Sequence, residues 1–205
     1  MNERALRILV ANPRPPETYL KALDSVSMSY DCSLLPADLS IYDGLLLTGG
    51  GDVLPAYYEG DTPSSDVNFV KDKLEFDLLR YFTEKQLPVL AICRGFQLVN
   101  VFFGGTLKCV SGHMRNDDNR HSVSSRENPF GIFSEVNSSH NQAVDSVPEN
   151  AEIIAVAPDL TIEAAIYSEN VFCFQFHPER MPVGITERVF GVFADCVKKR
   201  LTASS

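Results

Sequence analysis

The sequence lacks any CxxC pair and any cluster of cysteine with histidine at zinc-ligand spacing. Its five cysteines, at 32, 93, 109, 173 and 196, are odd in number and irregularly placed. That pattern argues against both a disulfide framework and a structural metal, so most of these thiols are expected as small core residues. Basic residues are also scarce: 18 stand against 27 acidic ones, for a net charge of −9, and only Lys198, Lys199 and Arg200 cluster. No face for a phosphate backbone emerges, which excludes nucleic acid as a partner. Long apolar runs are missing too. Charges come early (Glu3, Arg4, Arg7), and the apolar stretch from Ile8 to Ala11 is too short for a signal-peptide core or a membrane span. No membrane association is expected, and the cytoplasm is the default compartment. Neither GxGxxG nor Gly-Lys-Ser/Thr occurs, and no internal repeat is visible.

What is present is 205 residues, 44% of them hydrophobic. That suffices for one well-buried core and is too little for two ordinary domains, so a single domain over 1–205 is expected. The run from Leu6 to Ala11, closed by Asn12-Pro13, reads as a buried parallel strand. Pro15-Pro16-Glu17 then starts a helix in which Tyr19, Leu20 and Leu23 recur at helical spacing. A strand is expected over Cys32–Leu35 and a clearer one over Tyr42–Thr48, stopping at Gly49-Gly50-Gly51. The polar stretch 61–68 reads as a surface loop. Val70, Leu74, Leu78 and Phe82, four apart, mark the next helix. Val89–Ile92 is a strand and Gly95 onward is helical again, with Cys93 at the junction. From Ser111 to Pro129 the chain is polar, a long loop expected to act as a flap. β-prone runs follow at Glu152–Ala157, Thr161–Tyr167 and Val171–Phe176, and Thr186 is placed to cap a last helix.

Ala91-Ile92-Cys93-Arg94-Gly95, set between an apolar strand and an amphipathic helix, has the form of a nucleophile elbow. A sharp strand-to-helix turn exposes the side chain, small neighbours relieve crowding, and the helix N-terminus stabilises a thiolate. The alternative is a core cysteine at a strand end. His177 and Glu179 lie at i and i+2 after the last strand run, directed to one side of an extended segment. That spacing suits a base and its orienter, the imidazole taking the thiol proton and the carboxylate holding its tautomer. Gly49-Gly50-Gly51-Asp52 ends a strand where open α/β sheets place ligand crevices. Amides there, with that of Arg94, can face an oxyanion; a plain tight turn is the alternative.

The combined pattern resembles the stand-alone γ-glutamyl hydrolases of the peptidase C26 family, within the class I glutamine amidotransferases. Its carriers are TGGGDVLP (48–55), the Asp72 and Glu75 pair, PVLAICRGFQLVNVFFGGTL (88–107), VNSSHNQAV (136–144), TIEA (161–164) and FQFHPE (174–179). The resemblance implies a flavodoxin-like three-layer α/β domain with a mostly parallel sheet. It implies a catalytic triad of Cys93, His177 and Glu179, and oxyanion contacts from Gly50, Gly51 and the Arg94 amide. Gln97 matches the glutamine that helps hold the glutamyl group, and Ser138, Ser139 and His140 match the second substrate-binding segment. No cofactor or metal is implied.

Arg after the nucleophile and the Val-Asn-Ser-x-His form of VNSSHNQAV favour a free-standing hydrolase. Lys71 stands where Arg is usual, and Asp159-Leu160 where Asp-Gly is usual. His113 and His121 sit where the family carries histidines, yet polar-loop histidines are expected in solvent. Asp72 and Glu75 read either as a solvated helix face or as structural or substrate-side groups. The expected partner is a small γ-glutamyl substrate such as γ-glutamyl-GABA, with a homodimer left open. The alternatives are a glutaminase subunit feeding ammonia to a synthase partner, and a binding module in which Cys93 is inert.

Overall fold

The computed structural model describes residues 6–58, 60, 66–114 and 120–203. The first half alternates strand and helix: β1 (Arg7–Val10), α1 (Glu17–Ser25), β2 (Ser29–Cys32), β3 (Gly44–Leu47), α2 (Phe69–Glu84), β4 (Val89–Ile92) and α3 (Arg94–Phe102). The second half is rich in short strands: β5 (Thr106–Cys109), β6 (Arg120–Ser122), β7 (Ser124–Ser125), β8 (Glu135–Asn137) and β9 (Gln142–Ser146). Then come β10 (Glu152–Val156), β11 (Ile162–Ser168), β12 (Val171–Phe174) and a last helix, α4 (Val183–Ala203).

Eight strands form one sheet in the order β2-β1-β3-β4-β12-β11-β10-β7. The first five pair in parallel, and the last three are added antiparallel. Numbered among themselves, the parallel strands run 2-1-3-4-5, the flavodoxin-like winding whose ligand crevice opens at the strands' carboxyl ends. The fold is therefore the expected α/β sandwich with a mostly parallel sheet. Every residue of β3, β4 and β12 is buried, which is why these segments read as continuous apolar runs.

Successive side chains point to opposite faces and so feed two cores. Ile8, Leu46, Leu90 and Phe174 pack with Leu23 of α1 and Phe190 of α4. Leu9, Leu45, Ala91 and Cys173 pack with Phe82 of α2 and Phe96 of α3. Each such large apolar side chain contributes about 1.5–3 kcal/mol by leaving water.

Four expectations change. The strand expected at Cys32–Leu35 lies at Ser29–Cys32, because parallel pairing of Arg7 with Ser29 through Val10 with Cys32 sets the register. As an edge strand it needs no apolar run, and Leu35 is left 74% exposed. On α2, Val70 is exposed, and Asp72 and Glu75 are buried in its place. Thr186 lies inside α4 rather than capping it, its hydroxyl donating to the Pro178 and Met181 carbonyls at 2.7 and 3.0 Å. The stretch 111–129 contains β6 and β7, and β6 pairs with β8. Residues 115–119 of that stretch, and 61–65 of the expected 61–68 loop, lie outside the described residues. Among the described residues, no helix is long and apolar enough to cross a membrane.

Candidate active site

Cys93 follows β4 and opens α3 with φ 55° and ψ −109°, a backbone conformation that L-residues rarely adopt. Its N–H donates to the Phe174 carbonyl of neighbouring β12 at 2.7 Å, which anchors the elbow to the sheet. Gly95 is required by packing: a Cβ there would meet the Leu47 carbonyl at 2.6 Å. The close approach of α3 to β3 aims the helix N-terminus at the strand ends, where its positive end favours a thiolate.

His177 lies just past β12. The side-chain amide of Asn137 grips its backbone, donating to the His177 carbonyl at 2.9 Å and accepting from its N–H at 2.8 Å. His177 Nδ1 is 2.8 Å from Glu179 Oε1. A carboxylate only accepts, so Nδ1 carries the proton and Nε2 is left for the thiol. Burial pushes the imidazole pKa down, but hydrogen bonds with Cys93 and Glu179 outweigh it and the pKa rises to about 9. Tyr19 completes this side of the site. Its hydroxyl accepts the Gly49 N–H at 2.9 Å and lies 3.4 Å from His177 Nδ1. Burial first, then the Glu179 charge, raises its pKa far above the ordinary phenol value.

The glycine loop after β3 is closely packed, and at Gly51 backbone leaves no room for a side chain. A Cβ on Gly49 would sit 3.0 Å from the His177 ring, one on Gly50 2.8 Å from Lys71 Nζ, and one on Gly51 2.2 Å from the Asp66 carbonyl. Behind the loop the Arg94 guanidinium, 2% exposed, is ion-paired to both Asp72 and Glu75. Asp72 also accepts the Leu54 N–H at 2.9 Å. The two carboxylates are thus a buried brace tying α2, the segment after the glycine loop and the start of α3 together, not a solvated face.

Two cavities meet at Cys93. One of about 380 Å³ is lined by Pro16, Tyr19, Gly49, Gly50, His177 and Glu179, among others. The other, about 200 Å³, reaches Gly51, Arg94, Gln97 and His140. Gly50, Cys93 and Ser139 belong to both. A larger concavity, about 940 Å³, opens beside α4 and contains Cys196, but no histidine lines it and burial raises that thiol's pKa. Size alone does not make it a reaction centre.

Gln97 is buried, its amide nitrogen donating to the Gln142 carbonyl at 2.8 Å. Of the segment Ser138 to His140, Ser139 and His140 line the smaller cavity, whereas Ser138 Oγ turns away to His113 Nδ1 at 3.0 Å. Nor is His113 in solvent: it is 5% exposed, with Nε2 2.9 Å from Asp159 Oδ2. Burial opposes ionisation of Asp159, yet the hydrogen bond from His113 holds its pKa at about 2. His113, His121 and His140 surround Glu163 of β11, which is fully buried. Burial, then the neighbouring His113, lowers the His140 pKa to about 3.

Three residues escaped the sequence reading. Tyr19 counted only as part of an apolar helix face, Asn137 sat unremarked inside VNSSHNQAV, and Glu163 sat inside TIEA. The motifs contained the last two, but nothing local distinguished them.

Comparison with known proteins bears on the family and the fold. The chain is 30% identical over 178 residues to the glutamine amidotransferase-like protein YvdE of Lactococcus lactis, covering 77% of this chain and 75% of that one. It is 29% identical over 148 residues to the γ-glutamyl-CDP-amidate hydrolase of Campylobacter jejuni, covering 70% and 67%. The chain spans between 50% and 75% of the length of such relatives as YvdE and Rv2859c of Mycobacterium tuberculosis. A glutamine amidotransferase of Thermotoga maritima shares the fold at TM-score 0.64 and 19% identity, over 97% of this chain and 86% of that one. Residues 26–179, which carry the elbow, the glycine loop and the His177–Glu179 pair, match the Peptidase C26 family, and the chain belongs to it.

Proposed function

We propose that the chain is a cysteine-dependent C–N amide hydrolase acting on γ-glutamyl bonds. The observation that carries the reading is the position of His177, hydrogen-bonded to Cys93 on one side and to Glu179 on the other. In this mechanism His177 holds the thiol proton and the Cys93 thiolate attacks the γ-carboxamide carbon. The oxyanion that forms is met by the amides of Gly50, Gly51 and Arg94. Collapse breaks the C–N bond, the amine leaves with the proton from the imidazolium, and a thioester remains on Cys93. Water, deprotonated by His177, then attacks the thioester, releasing glutamate and restoring the thiol. Gln97, Ser139 and His140 bind the glutamyl part in the smaller cavity, and the larger one holds the leaving amine.

Together the two cavities suit a small substrate, a γ-glutamyl amine of the γ-glutamyl-GABA kind or another γ-glutamyl-capped metabolite. The named activity of the Campylobacter relative supports a γ-glutamyl bond as the target class. The test is glutamate release from a panel of γ-glutamyl amines and from glutamine. One amine is expected to be cleaved, and Cys93→Ala is expected to lower kcat at least ~10³-fold. Cleavage surviving in Cys93→Ala would overturn the reading. Activity on glutamine alone, rising when a synthase is added, would favour the glutaminase-subunit alternative.

A further inference from the structure

We propose that His113, His121 and Glu163 form a site for one divalent transition-metal ion of the zinc class, with the His140 ring at its edge. Glu163 is fully buried, and neither of its carboxylate oxygens accepts a hydrogen bond. Three imidazole nitrogens surround its Oε1: His121 Nε2 at 3.2 Å, His113 Nδ1 at 3.5 Å and His140 Nε2 at 4.0 Å.

The other nitrogen of each ring faces an oxygen that can only accept. His113 Nε2 is 2.9 Å from the Asp159 carboxylate, His140 Nδ1 is 2.9 Å from the Gln142 carbonyl, and His121 Nδ1 is 3.3 Å from the Ser122 carbonyl. Each ring's proton therefore sits on the far nitrogen, and in the neutral ring the nitrogen turned toward Glu163 presents a lone pair. Lone pairs converging on a buried carboxylate repel it unless a cation lies between them. Protonating all three rings would crowd three like charges, because the His113 centroid lies only 5.1 Å from that of His121 and 4.7 Å from that of His140. The Ser138 hydroxyl, 3.0 Å from His113 Nδ1, can donate to that one lone pair but leaves the carboxylate unanswered, whereas a single divalent ion answers the lone pairs and the carboxylate at once.

The arrangement also has the outer layer of a metal site, in which a ligating histidine donates its second N–H to a carboxylate or a carbonyl. The donor atoms of His113, His121 and Glu163 lie within 4.8 Å of one another, so small side-chain shifts close them on an ion. Two imidazoles and a carboxylate are a donor set that zinc accepts, with a fourth position for His140 or water. Cysteine spacing could not disclose such a site, because it contains no cysteine. The ion is a brace rather than a reactant. It fastens His113 and His121 to Glu163 of β11 and, with the His140 ring at its edge, steadies the Ser139–His140 wall of the smaller cavity.

The site does not depend on the chemistry proposed for Cys93. The full chain carrying Cys93→Ala, so that zinc on that thiol is not counted, is stripped with EDTA and titrated with zinc chloride by calorimetry, and separately with cobalt(II) by visible absorption. One equivalent is expected to bind, with ligand-field bands for cobalt and a Tm that falls on stripping and recovers with zinc. Glu163→Gln and His121→Gln should each weaken binding at least about tenfold. Should Glu163→Gln fail to fold, His121→Gln, at a ring 10% exposed, decides alone. Absence of binding, or binding indifferent to the substitutions in folded protein, would overturn the site, as would imidazole NMR signals of His113 and His121 that zinc leaves unmoved.

Discussion

The buried Asp72–Glu75 pair and the buried Glu163 are compensated in opposite ways. Asp72 and Glu75 face the Arg94 guanidinium, a permanent cation whose planar fork matches two carboxylates, and Lys71 Nζ lies 3.7 Å from Glu75 as a second cation. Glu163 is buried as deeply, but its ion-pair partners among the described residues are imidazoles, whose inward nitrogens lack protons in the neutral state. The first group is electrically complete as it stands; the second becomes so when a cation arrives. Glu179 is the intermediate case, a buried carboxylate facing both the half-buried Arg180 guanidinium at 3.4 Å and the N–H of His177, which gains a proton readily because Cys93 lies on its other side. Equal burial thus yields a rigid brace, a base–nucleophile pair and a candidate ion site, according to which donor hydrogens are present.

The largest effect comes from breaking the complete group. Arg94→Met leaves Asp72 and Glu75 buried without the guanidinium, with Lys71 3.7 Å from Glu75 still in place, and should destabilise the protein by about 3–5 kcal/mol, read from urea unfolding. Next is the pH dependence of the His177 pair. Its folded pKa, about 9, lies above the unfolded value near 6.5. The stability it contributes is therefore fully present below pH 6.5 and is lost as the pH rises through about 9. Wild-type protein should lose roughly 3 kcal/mol more than His177→Gln between those limits, at about 1.36 kcal/mol per unit. The groups facing His177 are Cys93, Glu179, Tyr19 and Arg180, and the same limb should appear as a fall in kcat/KM above about pH 9.

A sharper contrast compares the same change in both groups, in chelator-treated protein. Glu75→Gln weakens a charged hydrogen bond to Arg94 and should cost about 2 kcal/mol, whereas Glu163→Gln brings an amide donor toward the imidazole lone pairs and should cost less than about 1 kcal/mol. The reverse order would show that Glu163 already has its cation in the form of protons. The smallest effect lies in the loop that carries Asp159, the carboxylate behind His113. Leu160 there has φ 68° and is 74% exposed. Leu160→Gly removes left-handed strain but loses more chain entropy on folding, for a net gain of up to about 1 kcal/mol and a Tm rise of about 2–4 °C.

Much of this was legible in the residue order. The runs Leu6–Ala11, Tyr42–Thr48 and Val89–Ile92 announced β1, β3 and β4, because a strand buried on both faces is apolar throughout. Edge strand β2 was misplaced, because partial burial leaves it no such run. The short strands β5, β8 and β9 went unread for a related reason: they pair in two-stranded ribbons whose register comes from partners far along the chain. The elbow, the glycine loop and His177-Pro178-Glu179 were visible as local patterns. The supporting residues Tyr19, Asn137 and Glu163 were not, because their partners are distant: 158 positions separate Tyr19 from His177, and 40 separate Asn137 from it.

By itself the sequence determined the alternation of the buried strands with the helices, the parallel character of those strands and the sharp turn at Cys93. Each of these follows from side-chain periodicity or backbone freedom within a few residues. Only the tertiary structure decided that Asp72 and Glu75 of α2 point inward, that the histidines at 113, 121 and 140 converge on one carboxylate, and that two cavities meet at one thiol. Those outcomes depend on which groups share a buried space, and in a low-dielectric interior the worth of a charge is set by neighbours that the chain brings from far away.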